Sequence, residues 1–567
     1  MNGPTMLNEL TGPDGPFPLK ERSVHGIPMQ VYDRDPRTLR DVFLSSDLFQ
    51  DRTAAIYESQ RWTFAQQRVL VVNLAWSLKD RFGIEQGDRV AIAMRNYPEW
   101  AFAFWAIQLL GAVVVPLNAW ATGPELAELL DHCAPKLVFA DQERLDRIGE
   151  IAGEPLALIS VRSREHATAV PIEELMGAVT HREPPDCHVS PDDIATIIYT
   201  SGTTGRPKGV VASHFAHTAS LLNRYIRVVA AACSARGEIF EPSRGDLPCQ
   251  TKLVVYPLFH IAGIGTLCAA TFNGHALVTM YKWDVAKAVA IVANEQISEL
   301  TGPPLIAQQI VEAGRRLPQQ LGSLRLLGAG GASLPATLLA DIAEVFQGRV
   351  SPTTGYGLTE TTGGVIAISG ADFIAHPDSI GRPLPTVEIK ILGDDGAPLP
   401  AGQSGELAIR APQLMNGYYR DEAITREAIT DGWFHTGDLA SRGDDGLIRL
   451  VGRLKDIVIR GGENINCGQV ESCIVDHPAV AEVAAVGTPH PGLGEELVAV
   501  VRLHDGHTIE AQELRSFVAS RLAAFKVPAH VLFVERPLPR TASGKLLKRE
   551  IMLPPDMLRP LTETTKG

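Results

Sequence analysis

Cysteine is sparse and unpaired in this chain. The seven, at positions 133, 187, 233, 249, 268, 467 and 473, form no CxxC spacing and no tight cluster with histidine. That argues against a disulfide framework and a zinc site, and it suits a reducing cytosol. An excess of basic charge is also lacking. With 52 Lys and Arg against 65 Asp and Glu, the net charge is −13. No basic face for nucleic acid is expected, so an anionic ligand must be met by local cations. Long apolar runs are absent too: no run made up only of uncharged apolar residues reaches the about 18 residues of a membrane span. The N-terminus sets Asp14, Lys20, Glu21 and Arg22 among prolines where a signal peptide would need an apolar core. The expectation is a cytoplasmic protein with no stable membrane insertion. Its last residues, Thr565, Lys566 and Gly567, carry no peroxisomal address.

What is present is globular: 567 residues, 45% hydrophobic and 21% charged, too long for one ordinary core. From Asp88 onward, strand-like and helix-like segments alternate: 89–94, 99–110, 112–117, 123–133 and 137–140. The style returns over 253–256, 261–272, 276–280, 285–294 and 324–327. Such alternation predicts parallel strands covered by helices, an α/β layered body. Residues 230–250, with Arg236-Gly237, Pro242-Ser243 and Arg244-Gly245-Asp246, read as a polar surface loop. After Ile389 the texture changes to short strands with Gly/Asp turns, suiting a small barrel or meander. From Asp456, further strands and helices predict a compact α+β unit of about 110 residues, enough for an independent domain.

The most informative run is Tyr199-Thr-Ser-Gly-Thr-Thr-Gly-Arg-Pro-Lys-Gly209, between a β-branched stretch and a helix-compatible one beginning near His214. Its glycines let the backbone approach a ligand, while hydroxyls, bare amides and one Lys offer donors to phosphate oxygens. It is not a Walker loop, because Lys208 follows Arg206-Pro207 and precedes Gly209. Five further strings stand downstream: Thr354-Gly-Tyr-Gly-Leu-Thr-Glu360, Thr436-Gly-Asp438, Gly452-Arg-Leu-Lys-Asp456, Gly461-Gly-Glu-Asn464 and Pro539-Arg-Thr-Ala-Ser-Gly-Lys545. In this order and at these separations the chain resembles the adenylate-forming superfamily of acyl-CoA synthetases, adenylation domains and beetle luciferases, over roughly residues 40 to 550.

The resemblance implies a large N-terminal adenylation domain (1–454) of layered α/β subdomains plus a small barrel. A small mobile α+β C-terminal domain (455–567) would follow, hinged at Lys455. It implies an AMP-forming acid:CoA ligase using ATP, Mg2+ and coenzyme A. Thr200, Ser201, Gly202, Thr203, Thr204, Gly205 and Lys208 would grip the β- and γ-phosphates. Glu360, with Thr200, would hold the magnesium ion, since hard cations prefer oxygen ligands. Gly330, Gly331 and Ala332 would let backbone approach the adenine edge, although Ser333 stands where the family often has Pro. Gly355, Tyr356, Gly357 and Thr359 would form the adenine-stacking segment. Asp438 would accept from both ribose hydroxyls, and Arg453 would be the second ribose or phosphate contact. Lys545 would bridge the substrate carboxylate and the α-phosphate. Gly461, Gly462 and Glu463 would line the pantetheine tunnel after the small domain swings.

His260, in Pro257-Leu-Phe-His-Ile-Ala-Gly263, lies where relatives place a gate beside the acyl site. Acetate-specific relatives close the pocket with Trp at the position of Gly357, so a larger acid is expected, a medium- or long-chain fatty acid or another bulky one. The expected lining, Ile261, Thr301, Gly302, Pro303, Ala329 and Gly363, is small or apolar and includes no cation for a charged substrate tail. The alternative is an acyl-AMP ligase loading a carrier protein. Its amino-acid version is disfavoured, because no Asp occurs between Thr251 and Thr279. Too few residues follow Lys545 for a fused carrier, so the thiol is expected in trans. The first 40 residues are expected to wrap the large domain or to mediate assembly, with a homodimer as the candidate.

Overall fold

The computed structural model describes residues 3–149, 156–163, 168–177, 183–200, 207–330, 336–453, 456–460, 463–490, 494–540 and 546–554. Two large sheets carry the N-terminal part. The first has eight strands, in the order Gly417–Tyr418, Lys208–Ser213, Ile194–Thr200, Val113–Pro116, Arg89–Ala93, Leu137–Asp141, Ala157–Val161 and Val170–Pro171. From Ile194–Thr200 outward to Val170–Pro171 the pairing is parallel, and it turns antiparallel at Lys208–Ser213 and Gly417–Tyr418. The central strands are runs of Val, Ile, Leu, Phe and Ala with both faces buried, as a helix-covered parallel sheet demands. Pro98–Leu109, whose residues are all buried, and Gly123–Cys133 are the crossover helices.

The second sheet has nine strands. Its parallel core runs Thr53–Tyr57, Ala276–Thr279, Thr251–Val254, Glu299–Gly302, Leu326–Ala329 and Ser351–Leu358. Gly363–Ser369 and Arg382–Pro383 close one side antiparallel, and Gln60–Thr63 the other. Each motif loop follows the carboxyl end of a strand: the phosphate run after Thr200, the glycine-rich run after Ala329, and Thr359-Glu360 after Leu358. Ligands of open α/β sheets bind at that end.

The alternation read from sequence matches these strands and helices to within two residues or so, and Val285–Asn294 is reproduced as expected. The expected small barrel or meander is an antiparallel set: Glu388–Leu392, Ser404–Arg410, Trp433–Arg442 and Ile448–Arg453. The C-terminal part builds its own sheet from Glu463–Asn466, Ile457–Arg460, Gly494–Leu503 and Val480–His490, with His530–Phe533 added parallel. Helices Cys467–Val475 and Ala511–Ala519 pack on it around Val470, Ile474, Leu497, Leu514 and Val518.

The 230–250 reading needs correction. Helix His214–Arg236 continues through residues 230–236, with Ala230 and Cys233 buried, and stops at Gly237, whose φ of +74° is the left-handed cap that glycine adopts without strain. Beyond it, Arg244 is tied to the Phe272 carbonyl at 2.7 Å and Leu247 enters the core. The N-terminal segment wraps the large part: Met6, Leu10 and Phe17 are fully buried in its main core. Strands Leu19–Val24 and Ile27–Tyr32 form a hairpin there.

Candidate functional site

Asp438 lies on strand Trp433–Arg442, opposite Arg453 of the neighbouring strand. Only 5% exposed, it is held from two sides: the Tyr356 hydroxyl donates to Oδ2 at 2.6 Å and the Arg453 guanidinium meets Oδ1 at 2.9 Å. Two ionised oxygens offer about four acceptor positions, so half remain for a ligand diol. Burial, with the Asp438 carboxylate beside it, raises the Tyr356 phenol well above its usual range, so it stays a donor. The turn before Asp438 is rigid: Thr436 Oγ1 donates to the Leu407 carbonyl at 2.7 Å and accepts from the Asp438 amide at 3.0 Å.

A second group assembles around Glu360. The Tyr418 hydroxyl donates to its Oε1 at 3.0 Å, and Lys208 Nζ stands 5.0 Å above the Tyr418 ring. Lys208 pairs across the strands with Thr200, so the flanks of the phosphate run face the Glu360 carboxylate. No Lys or Arg among the described residues pairs with that carboxylate. An anion held only by a neutral donor is suited to a hard cation. Sequence reasoning missed Tyr418, which carries no motif and reaches Glu360 only because Gly417–Tyr418 joins the edge of the first sheet.

Between these groups, Gly355, Tyr356, Gly357 and Thr359 line one continuous cleft with Glu360, Asp438, Arg453, Thr200, Lys208 and Gly330. Any side chain at Gly357 would collide with the Gly363 carbonyl, so glycine is required there whatever the substrate. Gly330 is fixed by Tyr256, whose hydroxyl donates to the Gly302 and Gly330 carbonyls at 2.9 and 3.1 Å. The Asn96 side chain ties the Tyr256 carbonyl and the Leu258 amide, setting the loop that carries Phe259 and His260.

His260 caps helix Ile261–Asn273 and lies on Phe259 at 4.5 Å between ring centroids. Burial lowers its pKa to about 4, so the ring is neutral at ordinary pH, and its Nε2 has no partner among the described residues. Ile261, Thr301, Pro303, Ala329 and Gly363 share the wall as expected, whereas Gly302 lies behind it against Ile306 and Val255. The expectation of no cation is overturned: Arg224 and Arg227, on helix His214–Arg236, also line the cavity. The available signal was a pair of cations at i and i+3 in an otherwise apolar run. Lys455, Lys545, Ser201, Gly202, Thr203, Thr204, Gly205, Gly331, Ala332, Gly461 and Gly462, and the side chain of Glu463, lie outside the described residues.

Residues 45–419 match the AMP-binding enzyme family, and 469–545 match the AMP-binding enzyme C-terminal domain. A feruloyl-CoA synthase from an Amycolatopsis species is 34% identical over 502 residues, covering 88% of this chain and 95% of that protein. A long-chain-fatty-acid–CoA ligase of Mycobacterium tuberculosis is 31% identical, covering 86% and 92%. Among solved structures, the o-succinylbenzoate coenzyme A synthetase of Bacillus subtilis in complex with ATP and a magnesium ion superposes with a TM-score of 0.76. It is 28% identical, covering 90% of this chain and 98% of that one. With Thr200, Ala329 and Leu358 ending strands of two mostly parallel sheets, and with these matches along its length, the chain belongs to the AMP-binding enzyme family.

Proposed function

We propose that this protein is an AMP-forming acid:CoA ligase acting on a bulky carboxylic acid. The observation that carries the reading is one cleft holding three complementary surfaces: the braced Asp438, the Glu360–Tyr418–Lys208 group, and a largely apolar wall beside His260 that also bears Arg224 and Arg227. Asp438 would take the ribose hydroxyls, and Tyr356 with the glycines around it the adenine. Thr200, Lys208 and the intervening run would hold the outer phosphates. Glu360, with Thr200, would hold Mg2+, which supplies positive charge to the phosphate oxygens when bound. A carboxylate oxygen of the acid bonds to the α-phosphorus as the bond to pyrophosphate breaks, with Lys545 neutralising the charge that shifts between them. The CoA sulfur then bonds to the acyl carbon and AMP leaves. We place the boundary between the two domains at residues 454 and 455, with Lys455 as the hinge. Gly461, Gly462 and Glu463 would face the pantetheine arm.

The named acids of the relatives differ, which fits one nucleotide site joined to a variable acyl chamber. The neutral His260 ring, with its orphan Nε2, suits a gate that contacts substrate. A panel of carboxylic acids tested for AMP release with CoA should favour bulky acids over acetate. Absence of acid-dependent ATP–pyrophosphate exchange with every acid would refute ligase activity. Release of AMP with a carrier-protein thiol but not with CoA would favour the carrier-loading reading.

A further inference from the structure

One wall of the acyl chamber carries two arginines that no carboxylate among the described residues pairs with. Arg224 and Arg227 stand one turn apart on helix His214–Arg236, both at the cavity wall. Tyr225 and Ile226 between them are buried, whereas the two arginines are half-buried and Val228 beside them is exposed, so the guanidinium groups stand at the cavity wall within reach of an entering ligand. The Arg224 guanidinium lies between two glycines: a Cβ added at Gly265 would meet Nη1 and Nη2 at 2.9 Å, and one at Gly363 would meet Nη2 at 3.2 Å. Gly265 belongs to the helix capped by His260, and Gly363 opens the strand after Glu360. The guanidinium is thus tucked beside the acyl gate, where two absent side chains leave room for it.

Neither arginine has a carboxylate partner among the described residues. Among the described residues Arg227 reaches the Ser369 hydroxyl, at a marginal 3.5 Å. Glu299, an acid on the same wall whose charge acts on Arg224, is committed to Lys252 at 2.6 Å. Burial lowers the pKa of both arginines, and for Arg227 the neighbouring Arg224 adds to that direction. Two half-buried like charges one turn apart repel each other unless a ligand compensates them. Guanidinium groups are fork-shaped donors matched to carboxylate oxygens.

We propose that the acid activated here carries a second anionic group, a carboxylate at the end remote from the reacting one, and that Arg224 and Arg227 bind it. This deepens the ligase reading and rests on it. The reacting carboxylate would lie toward Glu360, the bulk of the acid along the apolar wall past His260, and the tail carboxylate against the two guanidinium groups.

The test compares matched pairs of acids, an α,ω-dicarboxylic acid and the monocarboxylic acid of the same length, in aliphatic and aryl series. The readout is kcat/KM for AMP release with the full chain, using wild type, Arg224→Met, Arg227→Met and Arg224→Lys. For the best pair, wild type should favour the diacid. Arg224→Met should lower kcat/KM for the diacid about 30-fold, the scale for truncating one partner of a buried charge pair, while changing the monoacid little. Arg224→Lys should restore part of the preference. Thermal melting of each variant establishes that it is folded. Equal use of diacid and monoacid by wild type in every pair overturns the proposal. So does a diacid preference that survives both Met variants, or a rise confined to the KM for CoA, which would assign the arginines to a CoA phosphate. If no acid supports AMP release, the ligase reading fails separately. Calorimetric titration of the diacids into wild type and Arg224→Met then decides the site, since equal heats in the two proteins also overturn it.

Discussion

Asp438 shows how the position of a motif residue is set by residues outside its own motif. Arg453 reaches it from the adjacent strand and Tyr356 from a different sheet. Tyr356→Phe should therefore keep the fold and the Arg453 pair but remove one donor to a buried carboxylate. A hydrogen bond to a charged group contributes about 1.5–3 kcal/mol. With Arg453 still holding the other oxygen, AMP should bind about tenfold more weakly by calorimetry; an unchanged Kd would mean that Tyr356 does not orient Asp438. Asp438, Arg453, Glu360 and Lys208 were legible in the sequence because short motifs carry them at fixed separations. Tyr418 and the arginine pair were not. A single Tyr has no pattern, and its reach to Glu360 depends on which strand joins the sheet edge. Arg224 and Arg227 look like a solvated helix face until the cavity is seen on that side.

At the scale of elements, helix His214–Arg236 joins the N-terminal wrap, the first sheet and the acyl chamber. Phe17 meets Tyr225 edge-on at 6.0 Å, the His214 ring accepts from the Leu39 amide at 3.1 Å, and the His217 ring pairs with Thr196 Oγ1 at 2.9 Å. Phe17→Ala should cost about 3–5 kcal/mol, the scale for emptying a fully buried aromatic position. It should lower the melting midpoint, and it would also loosen the helix behind Arg224; an unshifted midpoint would show that the wrap is dispensable. The two histidines add a pH dependence. Burial lowers His214 to about 4 and His217 to about 3 from the usual 6.5. Between about pH 6.5 and pH 4 the unfolded chain therefore binds protons that the folded one refuses. Stability is full above that window and falls as pH drops through it, by up to about 1.4 kcal/mol per unit for each group. Melting midpoints should decline from about pH 6.5 downward, and His217→Gln should flatten the slope; a variant with the wild-type slope would exclude that ring. The regular α/β elements were legible because strand and helix periods alternate cleanly there. The 230–236 stretch was misread because Arg236-Gly237 and the turn residues after it drew the loop boundary too early. Ala230-Ala-Ala-Cys-Ser-Ala235 is ordinary helix composition.

For the molecule as a whole, the sheet order and the wrapping of the N-terminus depend on contacts between distant segments, which no local pattern encodes. The division into a large and a small part was legible from the strand and helix segments that begin at Asp456. The small part has its own core around Val470, Ile474, Leu497 and Val518, and that independence makes a swing between two half-reactions physically reasonable. Gly452, beside the proposed hinge, fixes the arrangement seen here: an added Cβ would collide with the Asn466 side chain of the small part. Gly452→Ala should disfavour this arrangement and leave both cores intact, so it should slow one half-reaction at least tenfold more than the other. Lys545→Ala supplies the reference. Loss of a preorganised donor lowers adenylation by about 10²–10³, while thioester formation from supplied acyl-AMP should proceed, because the lysine would have left the site by then. The two half-reactions are read separately, the first as ATP–pyrophosphate exchange and the second as CoA thioester formed from the acyl-adenylate. Equal loss of both in Lys545→Ala would remove Lys545 from the first step. Equal loss in Gly452→Ala would show that the two domains need not change partners between steps.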